Sequence, residues 1–136
     1  MAGEQKPETE KSDSTRDTAL KEITIIFSPE AEQTYKELEK QADISKKERM
    51  IIDSIQRKIE IIKQNCYYGV HIPKYLIPEY YKIKYGVNNL FRVELPDFWR
   101  LLYTVTEGTK KIEVIALVID ILNHKEYDKK FGYRKK

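Results

Sequence analysis

The chain has 136 residues, 35% of them charged and 40% hydrophobic, with a net charge of +3. That length supports one domain with a modest core. A single cysteine, Cys66, and two distant histidines, His71 and His124, exclude an intramolecular disulfide and speak against a metal site, and no apolar run approaches the ~20 residues of a membrane span.

The charge is uneven. Residues 1–22 carry four Lys/Arg against six Asp/Glu, whereas 123–136 carry six against two. A basic body favours an anionic partner. Cysteine usage fits a reducing, cytoplasmic location, and the N-terminus lacks the apolar stretch of a secretory signal. Residues 1–20 are polar throughout and cannot bury enough surface to offset their ordering entropy, so they read as a disordered tail. The folded domain is expected over 21–136.

The run Ile23-Thr24-Ile25-Ile26-Phe27 is β-branched and predicts a first strand. Ser28-Pro29 starts a helix, with serine as N-cap and proline at the first helical position. Ala31, Tyr35, Leu38 and Ala42 follow at helical spacing. After the turn Asp43-Ile44, Ser45-Lys46-Lys47-Glu48 has the form of a capping box. It opens a second helix to about Gln64, with Ile51, Ile55, Ile59 and Ile62 on one stripe. Together they make an αα-hairpin that needs an apolar surface to cover.

Residues 65–87 are the least regular. Pro73 and Pro78 argue against a regular helix or a central strand across them. Six of the ten tyrosines lie there, interleaved with Lys74, Lys82 and Lys84. Two readings stand: a surface that holds nucleic acid by phosphate contact and base stacking, or tyrosines that cover a sheet edge.

Next comes a meander over Asn89 to Asp120. A three-residue loop, Pro96 to Phe98, sets Phe91, Val93 and Leu95 opposite Tyr103, Leu101 and Trp99 on one apolar face. A two-residue loop would bury Arg100 beside Val93, which the cost of burying a charge forbids. The chosen register puts Arg92 and Arg100 side by side on the other face, with Glu94 opposite Arg100. The last strand places Ile112, Val114, Ala116 and Val118 on one side and Ile115, Leu117, Ile119 and Ile121 on the other, so it reads as an interior strand. Asn123 to Lys136 is a short helix or turn with a basic tail. The order is β-α-α-β-β-β, and the class is α+β.

Two neighbouring guanidiniums can grip a phosphate or carboxylate, or merely share an ion pair with Glu94. His124, directly after the interior strand, can transfer a proton or serve as a hydrogen-bonded surface residue. Tyr127 shares its face if the segment is helical.

Asn89-Leu90-Phe91-Arg92, Trp99-Arg100-Leu101-Leu102-Tyr103 and the ending Val118 to Tyr127 resemble the RelE/ParE superfamily of type II toxin–antitoxin toxins. The opening Phe27-Ser28-Pro29-Glu30-Ala31, the αα-hairpin, and Gly69 with Ile72-Pro73-Lys74 match the same layout over roughly 22–133. The resemblance implies a two-helix hairpin on a mostly antiparallel four-stranded sheet. It implies an mRNA endoribonuclease, ribosome-dependent, that inhibits translation without a metal or cofactor, the substrate's 2′-hydroxyl attacking the adjacent phosphate. Arg92 and Arg100 would bind that phosphate, His124 would transfer a proton, and Tyr127 would orient the RNA. Lys82, Lys84, Lys129, Lys130 and Arg134 would hold RNA backbone. The implied partners are mRNA, the ribosome and an antitoxin on a separate chain. Glu94 departs from the pattern, standing where some members carry a second basic residue. The same fold also serves gyrase-directed toxins and could serve as a non-catalytic protein-binding module, so fold alone does not settle activity.

Overall fold

A computed structural model describes residues 22–108 and 113–132. The polar tail expected over 1–20, residues 109–112 with Ile112 of the expected last strand, and Arg134 with the basic end lie outside the described residues. Those described form an α+β domain. Its strands are β1 (Glu22–Phe27), β2 (Val70–His71), β3 (Phe91–Glu94), β4 (Arg100–Glu107) and β5 (Glu113–Leu122). Its helices are α1 (Pro29–Ala42), α2 (Lys46–Gln64), α3 (Glu79–Tyr85) and α4 (His124–Phe131).

The sheet has five strands, not the expected four, in the order β1-β5-β4-β3-β2. It is mixed: β1 runs parallel to β5, and the other pairings are antiparallel. The fifth strand comes from the segment read as irregular. Val70–His71 pairs with Arg92 and Phe91 at the edge, where the nearby Pro73 costs no ladder bond. Helix α3 begins directly after Pro78 and stops at Gly86, whose φ of 63° gives the left-handed cap. Proline there bounds a helix instead of excluding one.

The hairpin register is as the burial argument requires. Phe91 faces Tyr103, Val93 faces Leu101, and Glu94 faces Arg100. Phe91, Val93, Leu95, Leu101 and Tyr103 join Ile51, Ile55 and Ile62 of α2 in one core cluster. Each fully buried isoleucine there contributes about 1.5–3 kcal/mol. Helices α1 and α2 cover this face.

The opposite face is covered too. Tyr81 of α3 and Tyr127 of α4 pack with Leu90, Leu102, Ile119 and Leu122 in a second cluster. The domain is therefore three layers deep, with the sheet between two helix pairs.

One expected facing is corrected. Tyr103 pairs with Val118 while Leu102 pairs with Asp120, so Ile119 is an extra residue in β5. A bulge of this kind reverses the alternation beyond it. Ile121 therefore joins Val118 in the first cluster, and Ile119 belongs to the second. Ser28 stabilises the irregularity. Its hydroxyl accepts from the Ala31 N–H at 3.0 Å, capping α1, and donates to the Ile119 carbonyl at 2.8 Å. Ser45 holds the N-cap position of α2, but its hydroxyl donates to the Glu48 carboxylate instead of completing a capping box.

Ser28→Ala removes the cap and leaves a buried carbonyl without its donor. We expect a loss of about 1–3 kcal/mol, read as a lower urea midpoint with an unchanged slope. An unchanged midpoint would mean that water replaces the hydroxyl. Among the described residues no helix is long and apolar enough to cross a membrane.

Candidate functional site

Four of the side chains singled out from the sequence meet at one end of the second sheet face. Arg92 lies on β3 opposite Leu102 and Arg100 on β4 opposite Glu94, so the two are diagonal neighbours on adjacent strands. His124 opens α4, and Tyr127 follows one turn later on the helix side that packs against the sheet. Asn123 fixes the start of that helix: its side-chain oxygen accepts from the Glu126 N–H at 2.8 Å. Gly132, with φ 74°, ends it. The bulge at Ile119 sets where β5 delivers α4 onto the arginines.

The contacts are close. Arg92 Nη1 donates to the Tyr127 hydroxyl at 3.0 Å. The Arg100 guanidinium lies over the Tyr127 ring, 4.5 Å from its centroid, a cation–π contact. Arg100 Nη1 also donates to the Phe98 carbonyl at 2.9 Å and meets His124 Nδ1 at 3.1 Å. An arginine can only donate, so Nδ1 must accept, and the imidazole proton sits on Nε2. Nε2 in turn lies 3.3 Å from the Asp128 carboxylate. The imidazole is thus held between a guanidinium and a carboxylate.

Glu94 is the group whose weight the sequence leaves open. Its carboxylate lies 2.9 Å from Arg92 Nε and 3.4 Å from Arg100 Nε. Both contacts are ion pairs without well-directed hydrogen bonds. Glu94 is 56% exposed and Arg100 15%, so the carboxylate reaches the arginines from the solvent side. Two guanidiniums therefore share the Glu94 carboxylate, with Asp128 on the far side of the imidazole.

Tyr127 lies beneath the arginines. It is 2% exposed, with its ring stacked on Phe131 at 4.4 Å. It holds both arginines from below. The four lysines expected on RNA backbone are among the described residues. Lys84 is tied to Glu30 and lies beside Tyr80 and Tyr85. Lys130 sits over the Tyr80 ring at 4.6 Å. Lys82 and Lys129 are exposed. His71 packs its ring edge against Phe91, away from the cluster.

Helix α3 is fastened at two points that shape the neighbouring cleft, which has a volume of about 580 Å³ and is lined by Glu30, Glu37, Tyr80, Tyr85, Asp120 and Glu126 among others. Four carboxyl groups line it against one lysine, Lys130, a balance that disfavours a phosphate there. Lys84 and Tyr85 donate to Glu30 and hold its carboxyl at about 2. Beneath, the Tyr81 hydroxyl donates to Asp120 at 2.8 Å. Burial pushes the Asp120 carboxyl up, and the Tyr81 bond opposes that shift.

A carboxyl raised on folding favours the folded state in acid, and that advantage is lost as pH rises through the folded pKa. Tyr81→Phe removes the opposing donor and raises that pKa further. We expect a cost of about 1–3 kcal/mol at pH 7 that shrinks toward pH 4, where the protonated carboxyl no longer needs a donor. Urea melts at both pH values check this. A pH-independent loss would show that lost packing, not Asp120, is responsible.

Compared with protein-family models, with curated proteins and with solved structures, the chain shows no match.

Proposed function

We propose that the protein is a RelE-like toxin, an endoribonuclease that cleaves mRNA and so inhibits translation. The observation that carries this reading is the meeting of Arg92, Arg100, His124 and Tyr127 at hydrogen-bond distances from residues up to 35 positions apart. Two guanidiniums beside an oriented imidazole are the groups needed to move a proton while charge grows on a phosphate.

The chemistry follows from the contacts. A substrate phosphate takes the place of Glu94 on the two guanidiniums. Drawing Arg100 to the phosphate frees the His124 Nδ1 lone pair, which accepts the proton of the 2′-hydroxyl. The 2′-oxygen bonds to phosphorus, the bond to the 5′-oxygen breaks, and the imidazolium returns its proton to that leaving oxygen. Asp128 holds the imidazole and stabilises its charged form. The arginines stabilise the phosphorane-like state. Partners under this reading are mRNA, the ribosome and an antitoxin that covers the site.

Glu94 favours a second reading. A carboxylate already seated on both guanidiniums suits a non-catalytic module that exchanges this ion pair for an acidic side chain of a partner protein. The two readings separate in a cell-free translation extract with mRNA ends mapped. Arrest with new cuts, lost in Arg100→Ala and His124→Ala, supports the nuclease. Arrest without cuts points to another target, and folded protein that neither arrests nor cuts supports the binding module.

A further inference from the structure

The hairpin turn before Arg100 is built from residues that do not suit it. Asp97 and Phe98 have φ of 59° and 61°. The Trp99 N–H donates to Pro96 O at 3.3 Å, and the Leu95 N–H to Trp99 O at 2.9 Å. Two consecutive positive φ values mark a primed turn, which favours Asn or Asp first and glycine second. Asp97 fits the first position. Phe98 holds the glycine position, where its Cβ is strained against its own backbone.

Burial does not offset that strain, because Phe98 is 66% exposed. The turn around it is nonetheless fixed. Lys47 of α2 pairs with Asp97 at 3.3 Å, and Trp99 packs into the first core cluster. The Phe98 carbonyl accepts from Arg100. Its ring lies 5.6 Å from the His124 ring, tilted by 49°. A strained, exposed aromatic is thus held beside both the phosphate clamp and the proton-transfer group. Strain of this kind persists where surrounding structure enforces it, typically at functional sites.

We propose that Phe98 is the base-stacking residue of this site, receiving the nucleobase next to the phosphate held by Arg92 and Arg100. The inference rests on the nuclease reading and supplies what Tyr127, buried beneath Arg100, does not. The ligand it fits carries an anionic group and a flat ring a few ångströms apart, which is the chemistry of a ribonucleotide in a single strand. Stacking accepts any base and favours the larger ring surface of a purine, so Phe98 would select for an unstacked strand and, weakly, for base size.

The test titrates the full-length protein with a short single-stranded RNA carrying 2-aminopurine and 2′-O-methyl riboses, which block cleavage, and with an abasic strand of the same length. The variants are Phe98→Gly, Phe98→Trp and Arg100→Ala. Glycine suits the turn, so Phe98→Gly keeps or raises Tm. It should weaken binding of the base-bearing strand by roughly 5- to 100-fold and abolish the fluorescence quench, while binding the abasic strand like wild type. Phe98→Trp should restore both. Equal affinity of wild type and Phe98→Gly for the base-bearing strand, with Arg100→Ala still defective, overturns the role of Phe98 alone and leaves an exposed ring for a protein partner. Wild-type protein that binds neither strand overturns the nuclease reading and this inference with it.

Discussion

Arg100→Ala is expected to lower RNA cleavage by ~10²–10³-fold, the usual effect of deleting one donor aimed at developing oxyanion charge. The argument is geometric. Arg100 touches the imidazole, the turn carbonyl and the Tyr127 ring at once. Alanine removes a phosphate donor and also the group that fixes the His124 tautomer. Arg100→Lys should recover little, because an ammonium cannot reproduce the planar fork. The fold should survive. The salt link to the exposed Glu94 is worth about 1 kcal/mol or less, and the strands are held by their ladder and core. Single-turnover cleavage beside circular dichroism checks both halves. Full cleavage by a folded Arg100→Ala protein would remove this arginine from the mechanism.

Tyr127→Ala should cost about 3–5 kcal/mol, the range for deleting a buried aromatic, out of the 5–15 kcal/mol that a domain of this size typically has. Tyr127 anchors α4, an eight-residue helix too short to persist without packing. Its loss should release His124 as well, so activity falls with stability. Tyr127→Phe separates the two effects. It keeps the ring under Arg100 and the stack on Phe131 and forfeits the hydroxyl's bond to Arg92. We expect it to melt within about 1.5 kcal/mol of wild type while weakening phosphate binding. Equal losses in both variants would show that the hydroxyl, not the ring, holds α4 down.

Much of this arrangement was legible in the sequence, for physical reasons. The cost of burying Arg100 selects one hairpin register, and that register alone brings Arg92 and Arg100 together. Ser28-Pro29 marks the start of the first helix because capping chemistry is local. What stayed hidden depends on distant partners. The cover over the second face could be suspected from Leu90, Leu102 and the doubly apolar β5, but not assigned, since Pro73 and Pro78 masked a short helix and an edge strand. The bulge at Ile119 has no sequence signature, because an extra residue in an apolar run looks like any other. The burial of Tyr127 follows from where that bulge aims α4. Glu94 could be placed opposite Arg100, but its hold on both arginines required coordinates. Phe98 carried a signal that could have been read: an aromatic where a tight primed turn wants glycine.

The central place of β5 has a kinetic consequence. β1 opens the described residues, yet its ladder partner is the last strand among them. The Ser28 to Ile119 bond alone spans 91 positions. During synthesis the helical hairpin can form early, but the sheet has no middle until residues 113–122 have emerged. Contacts this distant in sequence slow folding and leave β1, apolar but for Glu22 and Thr24, as an exposed edge in the meantime. His124 and Tyr127 come later still. A chain interrupted before residue 113 would lack the central strand and, with it, His124 and Tyr127, so the cluster around Arg100 assembles in a single late step, when residues 113–131 close the sheet and lay α4 across it.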